Sequence, residues 1–387
     1  MTTTTTIPVA RPLLDEREAE AARRVILSGW VTQGPEVAAF EREFAEAIGA
    51  PHACAVSSCT TALHLALAGC GVSNDDEVVT VSHSFIATAN SVRYCGATPI
   101  FVDVQPGTFN IDPALVEAAI GPRTKAILAV HQFGMPCDLS AIVEIGRRRS
   151  IPVVEDAACA TGSEIRWNDR WERIGRPRGL VACFSFHPRK LLSTGDGGML
   201  TTADPALDQQ FRLLRHHGMS VSDTVRHSAS TVIQEAYPVL GYNYRMTDIQ
   251  AAIGREQLKR LPGIVSHRRE LAARYQERLA NVIGVTVPTE PDWARTNWQS
   301  YVVRVEAGRQ RQVMQKMLDA GISTRRGAMN AHREAAYPAG TWRAAGSLHE
   351  SEAAQDTAIV LPLFHQLTES DQDRVIDELA RAAGARA

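Results

Sequence analysis

Cys183-Phe184-Ser185-Phe186-His187-Pro188-Arg189-Lys190, continued through Leu191-Leu192-Ser193-Thr194 into Gly195-Asp196-Gly197-Gly198, reads as an apolar strand that ends in a polar turn and returns through glycines. Glycines in the return let backbone come close to a ligand. Of the 41 basic residues four are lysines: Lys125, Lys190, Lys259 and Lys316. Lys125 precedes a strand, and Lys259 and Lys316 sit in helical, solvent-facing patterns. Lys190 alone follows an apolar strand into a loop. In a chain that uses arginine almost everywhere, this amine stands out, because an amine forms an imine with a carbonyl and a guanidinium does not. Taken alone, the stretch reads first as a surface lysine after a strand. Its neighbours decide.

Upstream, short apolar runs ending in polar residues recur. Ala53–Val56 leads through Ser57-Ser58-Cys59-Thr60-Thr61 into helical Ala62–Ala68, and Val78–Val81 leads into Ser82-His83-Ser84-Phe85. Pro99–Val104 is a third run, Ala126–Val130 ends at His131, and Ile151–Val154 ends in Glu155-Asp156. Helical stretches Ile86–Tyr94, Pro113–Ile120 and Leu139–Arg148 alternate with them. Near-continuous apolar strands alternating with helices predict an α/β fold with a mostly parallel sheet flanked by helices. A ligand then sits beyond the carboxyl ends of the strands. Phe85, His131, Asp156 and the turn carrying Lys190 all fall at those ends. The hydroxyls of Ser58, Thr60 and Thr61 mark a strand-to-helix turn, where they cap free amides and where a phosphate can also be held. Ser28-Gly29-Trp30-Val31-Thr32-Gln33-Gly34-Pro35 is a loop before a helix carrying Val37, Phe40, Phe44, Ala45 and Ile48. Trp30 and Thr32 read either as packing or as a ligand lip.

Composition narrows the partners. The chain has 387 residues, 44% hydrophobic and 22% charged, with a net charge of −2 at pH 7. That is the profile of a globular protein of two domains, with no nucleic-acid partner. No apolar run reaches about 18 residues, so no membrane span is expected. Met1 and the threonines after it lack a basic segment and an apolar one, which predicts a frayed tail and not a signal peptide. The seven cysteines lie in the first half without Cys-x-x-Cys spacing. Reduced thiols in the cytoplasm fit this, and no metal site is read from it.

From Gly241 the texture changes. Gly241-Tyr242-Asn243-Tyr244-Arg245-Met246-Thr247-Asp248 leads into a helical run, Ile249–Leu261, closed by Pro262-Gly263. A further helix (Arg268–Leu279), a strand (Ser300–Val305), a helix around Gln312–Ala320, a polar stretch (Thr324–Ala353) and a last helix (Ser370–Ala383) follow. The expected division is a large domain over 12–260 and a smaller α+β domain over 261–387.

Lysine, strand-end carboxylate, aromatic ring and hydroxyl-lined helix start together meet the requirements of pyridoxal 5'-phosphate. That cofactor needs an amine for its aldehyde and an anion to keep its ring nitrogen protonated, so that the ring can act as an electron sink. Asp156 supplies the anion, through a charge-assisted bond worth roughly 1.5–3 kcal/mol. Phe85 is placed to stack on the ring, and Ser58, Thr60, Thr61 and Ser185 to surround the phosphate. Lys190 is the natural proton carrier.

The chain also resembles a family. Val154-Glu155-Asp156-Ala157-Ala158, Phe184–Lys190, Thr194-Gly195-Asp196-Gly197-Gly198 and Gly241–Thr247 are similar to the motifs of the DegT–StrS group of fold-type I aminotransferases, which mostly aminate keto-sugars carried on nucleotides. The resemblance runs from about Pro12 to Leu379 and includes Ser28-Gly29-Trp30 and Leu361-Pro362-Leu363. It implies a covalent link from Lys190 to the cofactor, Asp156 at the pyridine nitrogen, Phe85 on the ring, and Thr60, Thr61 and Ser185 at the phosphate. It also implies a homodimer in which Asn243 reaches the phosphate of the other subunit's site. Cys159 stands where members often carry Gln or His at the ring face. Ser323-Thr324-Arg325-Arg326-Gly327-Ala328-Met329 replaces a segment expected to contain histidine and proline, and its arginines suit a diphosphate, a donor carboxylate or a solvated turn. Trp30, Thr32, His187, Arg325 and Arg326 are the candidate substrate contacts. The expected activity moves an amino group from an amino acid, L-glutamate, to a keto-sugar; a keto-cyclitol acceptor is the alternative. A sensor protein that had lost turnover would show a damaged Lys190 or Asp156, and both are present.

Overall fold

The strand that carries Lys190 beyond its end lies inside a large sheet. The structure, a computed structural model, describes residues 6–221 and 223–384. Of the tail expected from Met1 through the five threonines, residues 1–5 lie outside them. In the first half run β1 (His52–Val56), β2 (Glu77–Val81), β3 (Thr98–Val102), β4 (Thr124–Val130), β5 (Val153–Asp156), β6 (Glu164–Trp167), β7 (Arg170–Arg173), β8 (Val181–Ser185) and β9 (Gly198–Thr202). The large sheet has the order β1-β9-β8-β5-β4-β2-β3, completed by the two-residue strand Arg343–Ala344. Its pairs from β8 to Arg343–Ala344 are all parallel, and only β9 runs against its neighbours.

Alternation along β8 explains the layering. Val181 and Cys183 enter the core on one face with Leu63, Leu65 and Leu67 of the helix Cys59–Gly69. Ala182 and Phe184 enter the opposite core, with Phe40 and Phe44 of the helix Pro35–Ile48. Period-two side chains thus bury both faces of one strand, as a parallel sheet requires. Truncating Phe184 to alanine would cost roughly 3–5 kcal/mol.

One expectation fails in the second half. Pro262-Gly263 does not close a helix: Asp248–Leu279 is one helix of 32 residues with Pro262 inside it. A proline in a helix interior costs about 3 kcal/mol. Burial on both sides offsets that cost, with Leu258, Leu261 and Ile264 in the large core and Leu271, Ala272 and Tyr275 in a second one. The expected boundary at 260/261 therefore falls inside a continuous helix. The second core lies on a four-stranded antiparallel sheet in the order Val285–Thr286, Tyr301–Val305, Ala358–Leu361, Arg325–Arg326. The polar stretch Thr324–Ala353 holds more structure than its composition suggests. It supplies Arg325–Arg326 to this sheet and Arg343–Ala344 to the large one. On the β6–β7 hairpin, Arg178 lies over Trp167 and Arg295 over Trp171. Among the described residues no helix is long and apolar enough to cross a membrane.

Candidate active site

Asp156 ends β5, and β5 lies directly beside β8 in parallel register, Asp156 opposite Cys183. The carboxylate is 5% exposed. Its Oδ2 accepts from the Thr88 hydroxyl at 2.7 Å, Thr88 is bonded in turn to Ser84 at 2.7 Å, and Oδ1 accepts from the Ala158 amide at 3.2 Å. Burial nevertheless pushes the Asp156 carboxyl above its ordinary value, against the lowering effect of Thr88, Ala158, Lys190 and His131. Such a carboxylate gains most from a cation placed beside it.

Lys190 follows β8 by one tight turn, its amide donating to the His187 carbonyl at 2.8 Å. Its Nζ donates to Cys159 Sγ at 3.0 Å. Burial pushes the Lys190 amine down, but Cys159, Cys59 and Asp156 outweigh it and the net direction is up. Both groups face a cavity of about 500 Å³, lined also by Ser58, Thr60, Phe85, Ser185 and His187. Phe85 offers it a ring that is 55% exposed. Ser58 caps the helix Cys59–Gly69, whose first amides have no intrahelical acceptor. A Cβ on Gly198 would lie 2.5 Å from the Ser58 carbonyl, so glycine here lets β9 start against that helix end.

The cavity mouth is cationic. Arg189, Arg325 and Arg326 line it, and the carboxylates lining the cavity among the described residues are Asp156 and Asp196. Arg326 is paired with Glu334 at 3.2 Å. Neither Arg189 nor Arg325 has a carboxylate within 4.0 Å among the described residues. Burial, then Arg189 and Arg326, hold the Arg325 guanidinium below its ordinary value. Burial first, and Arg189 next, likewise lower His187.

Four expected residues stand outside this lining. Thr61 spends its side chain in the capping box, donating to the Ser58 carbonyl at 2.7 Å and accepting from its amide at 3.1 Å. Asn243 is exposed and accepts from Arg245 at 3.3 Å. Trp30 donates to the Gln33 carbonyl at 3.2 Å and meets His227 edge-on. Thr32 is exposed and accepts from the Asp248 amide at 3.2 Å. Sequence reasoning missed Thr88, Asn297 and Gln299. Thr88 had one usable mark: it stands four residues after Ser84, one helical turn past the strand end.

The donor set fits pyridoxal phosphate. An amine and a buried carboxylate raised by burial stand on adjacent strand ends, with a hydroxyl-rich helix start and an exposed ring around the same cavity. On this sheet, that combination fits a pyridoxal-phosphate-dependent enzyme. The comparisons agree. The sequence profile of the DegT/DnrJ/EryC1/StrS aminotransferase family matches residues 12–380. The GDP-perosamine synthase of Caulobacter vibrioides is 40% identical over 381 residues, 96% of this chain and 97% of that protein. The spore coat polysaccharide biosynthesis protein SpsC of Bacillus subtilis is 41% identical over 300 residues, 78% of this chain and 76% of that protein. The structure of DesV from S. venezuelae, solved with a ketimine intermediate, matches with a TM-score of 0.89 at 34% identity, covering 99% of this chain and 100% of that one. The chain belongs to the DegT/DnrJ/EryC1/StrS aminotransferase family.

Proposed function

We propose that the protein moves an amino group from L-glutamate to a keto-sugar carried on a nucleotide, with pyridoxal 5'-phosphate held by Lys190. The observation behind the acceptor is the mouth of the cavity, where Arg189 and Arg325 stand without carboxylate partners among the described residues, above the Asp156–Lys190 end. Unpaired guanidiniums suit a diphosphate or a carboxylate. The names of two relatives, a GDP-perosamine synthase and a polysaccharide biosynthesis protein, point the same way.

Bound there, the cofactor would supply an electron sink for the substrate carbon that loses its proton. Asp156 would hold the proton on the ring nitrogen, and the Thr88 hydroxyl and Ala158 amide keep that carboxylate oriented. Phe85 would cover one ring face, and Ser58, Thr60 and Ser185 would hold the phosphate. The Lys190 amine would carry the proton between the substrate carbon and the cofactor. Asn243, exposed and outside its own cavity, serves the site of a second copy across a two-fold axis. The seven cysteines are free, which suits the cytoplasm.

The test is spectroscopic first. Purified protein should absorb at about 400–430 nm, and borohydride should abolish the band and mark the Lys190 peptide. L-Glutamate should bleach the band, and nucleotide-linked keto-sugars should restore it. A label on another lysine ends the assignment. Restoration by free keto-cyclitols, and by no nucleotide-linked sugar, ends the acceptor proposal.

A further inference from the structure

Lys190 and Cys159 come from separate turns, 31 residues apart, and one buried loop fastens both. Asn297 is fully buried and outside the cavity lining. Its Nδ2 donates to the carbonyls of Cys159 at 2.8 Å and Thr161 at 2.9 Å, while its Oδ1 accepts from the Gln299 amide at 2.8 Å. Only this orientation of the amide satisfies three partners, because two carbonyls need donors and one N–H needs an acceptor. Two residues on, the side chain of Gln299 donates to the carbonyl of Arg189, the neighbour of Lys190. The loop therefore grips the backbone on both sides of the 3.0 Å contact between Lys190 Nζ and Cys159 Sγ.

Its surroundings are built to keep it in place. A Cβ on Gly134 would stand 2.1 Å from Asn297 Oδ1 and 3.1 Å from the Cys159 carbonyl, so only glycine fits against this amide. Trp298, between the two gripping residues, has φ of 51°, a left-handed conformation that a bulky residue adopts only when its neighbours hold it. Behind the loop, Arg268, itself 5% exposed, donates to the carbonyls of Gln299 at 3.1 Å and Leu363 at 2.6 Å.

We infer that Asn297 is a positioning residue for the lysine amine, acting through Cys159: its amide fixes the Cys159 backbone so that the thiol stays against Lys190. The inference rests on Lys190 being the lysine that binds the cofactor. The groups facing that amine are Asp156 from the end of β5, Cys59 from the helix start, Cys159, and His187 from its own turn. Of these, Cys159 has the largest effect in holding the amine protonated.

The test reads protonation and does not depend on turnover. Full-length protein cleared of cofactor is acylated with limiting acetic anhydride across a pH series, and labelling of the Lys190 peptide is followed by mass spectrometry. In parallel, the band of the holoenzyme near about 400–430 nm is titrated. Cys159→Ala should move both midpoints to lower pH, so that labelling below the midpoint rises about threefold to tenfold. Asn297→Ala should move them in the same direction. In the Cys159→Ala background it should add nothing, since a residue acting only through the thiol has no effect once the thiol is gone. Greater access alone would raise the labelling plateau without moving the midpoint. Asn297→Ser provides the same reading if the alanine variant folds poorly. Unmoved midpoints in Cys159→Ala, unmoved midpoints in a folded Asn297 variant, or additive shifts in the double variant would each overturn the inference. Borohydride labelling of a different lysine would instead overturn the cofactor assignment on which it rests.

Discussion

The floor and the rim of the cavity are built on different principles. At the floor, Asp156 and Ser185 close parallel strands whose residues are all buried, and Lys190 follows one turn later. At the rim, Arg325 and Arg326 form a two-residue strand on the edge of the antiparallel sheet, both exposed and paired with Ala358–Leu361 on one side. Strand ends in a packed sheet hold groups to a fixed geometry, which proton transfer needs. A short edge strand holds its side chains less tightly and tolerates replacement, which suits recognition of varied substrates. The two are fastened together: the Ser84 amide donates to the Met329 carbonyl at 3.1 Å, and the Ala331 amide to Ser82 at 3.0 Å. Phe85 follows directly on the floor side of that seam, and Arg326 precedes it on the rim side by three residues.

If the floor does the chemistry, its variants should lose turnover and the rim's should lose affinity. Lys190→Ala is the largest case. It should lower turnover by at least ~10³-fold in both half-reactions if Lys190 is the general acid–base group proposed, with KM for either substrate little changed. A variant that keeps measurable turnover and loses only affinity would erase the distinction. Asp156→Asn should retain cofactor and lose ~10²-fold in turnover, the scale of one lost preorganised electrostatic partner. It carries a second, opposite expectation. Burial raises the folded-state pKa of Asp156, so the stability it contributes is present at low pH and is lost as pH rises through that value. Asn escapes this loss. Cofactor-free Asp156→Asn should therefore melt higher than the parent at pH 7 and no higher at pH 3, by calorimetry. A variant both slower and less stable at pH 7 would mean that the carboxylate is part of the packing.

The same contrast governs what could be read beforehand. Near-continuous apolar runs exposed β2, β4, β5 and β8, so the strand ends carrying Asp156 and Ser185, and the nearby Phe85 and Lys190, were legible from pattern alone. Thr88 was not, because its role depends on a helix turning back onto the end of a strand 68 residues later. Asn297 was invisible for a stronger reason. It neither repeats with any period nor faces the ligand, and its partners Cys159 and Thr161 lie more than 130 residues upstream. Pro262 misled because local cost was weighed without the two cores that offset it. The paired arginines were found but not separated, since sequence gives no sign of which guanidinium has a carboxylate beside it.

That separation is the smallest effect and the sharpest test of the rim. Arg326 is neutralised by Glu334 at 3.2 Å, whereas Arg325 has Arg189 and Arg326 as its charged neighbours. An anionic substrate group therefore gains most from Arg325. A charge-assisted hydrogen bond contributes roughly 1.5–3 kcal/mol, so Arg325→Ala should raise KM for one substrate by about tenfold or more. The half-reaction with the other substrate should be unaffected, which tells donor carboxylate from acceptor diphosphate. Arg326→Ala should change KM by less than about fivefold, in line with an exposed ion pair worth ~0.2–1 kcal/mol. Glu334→Gln gives the converse. Releasing Arg326 in the Arg325→Ala background should recover part of the lost affinity, while the same change in the parent should do little. Equal KM losses from Arg325→Ala and Arg326→Ala, with no recovery on replacing Glu334, would mean that the ion pair does not decide which arginine meets the substrate.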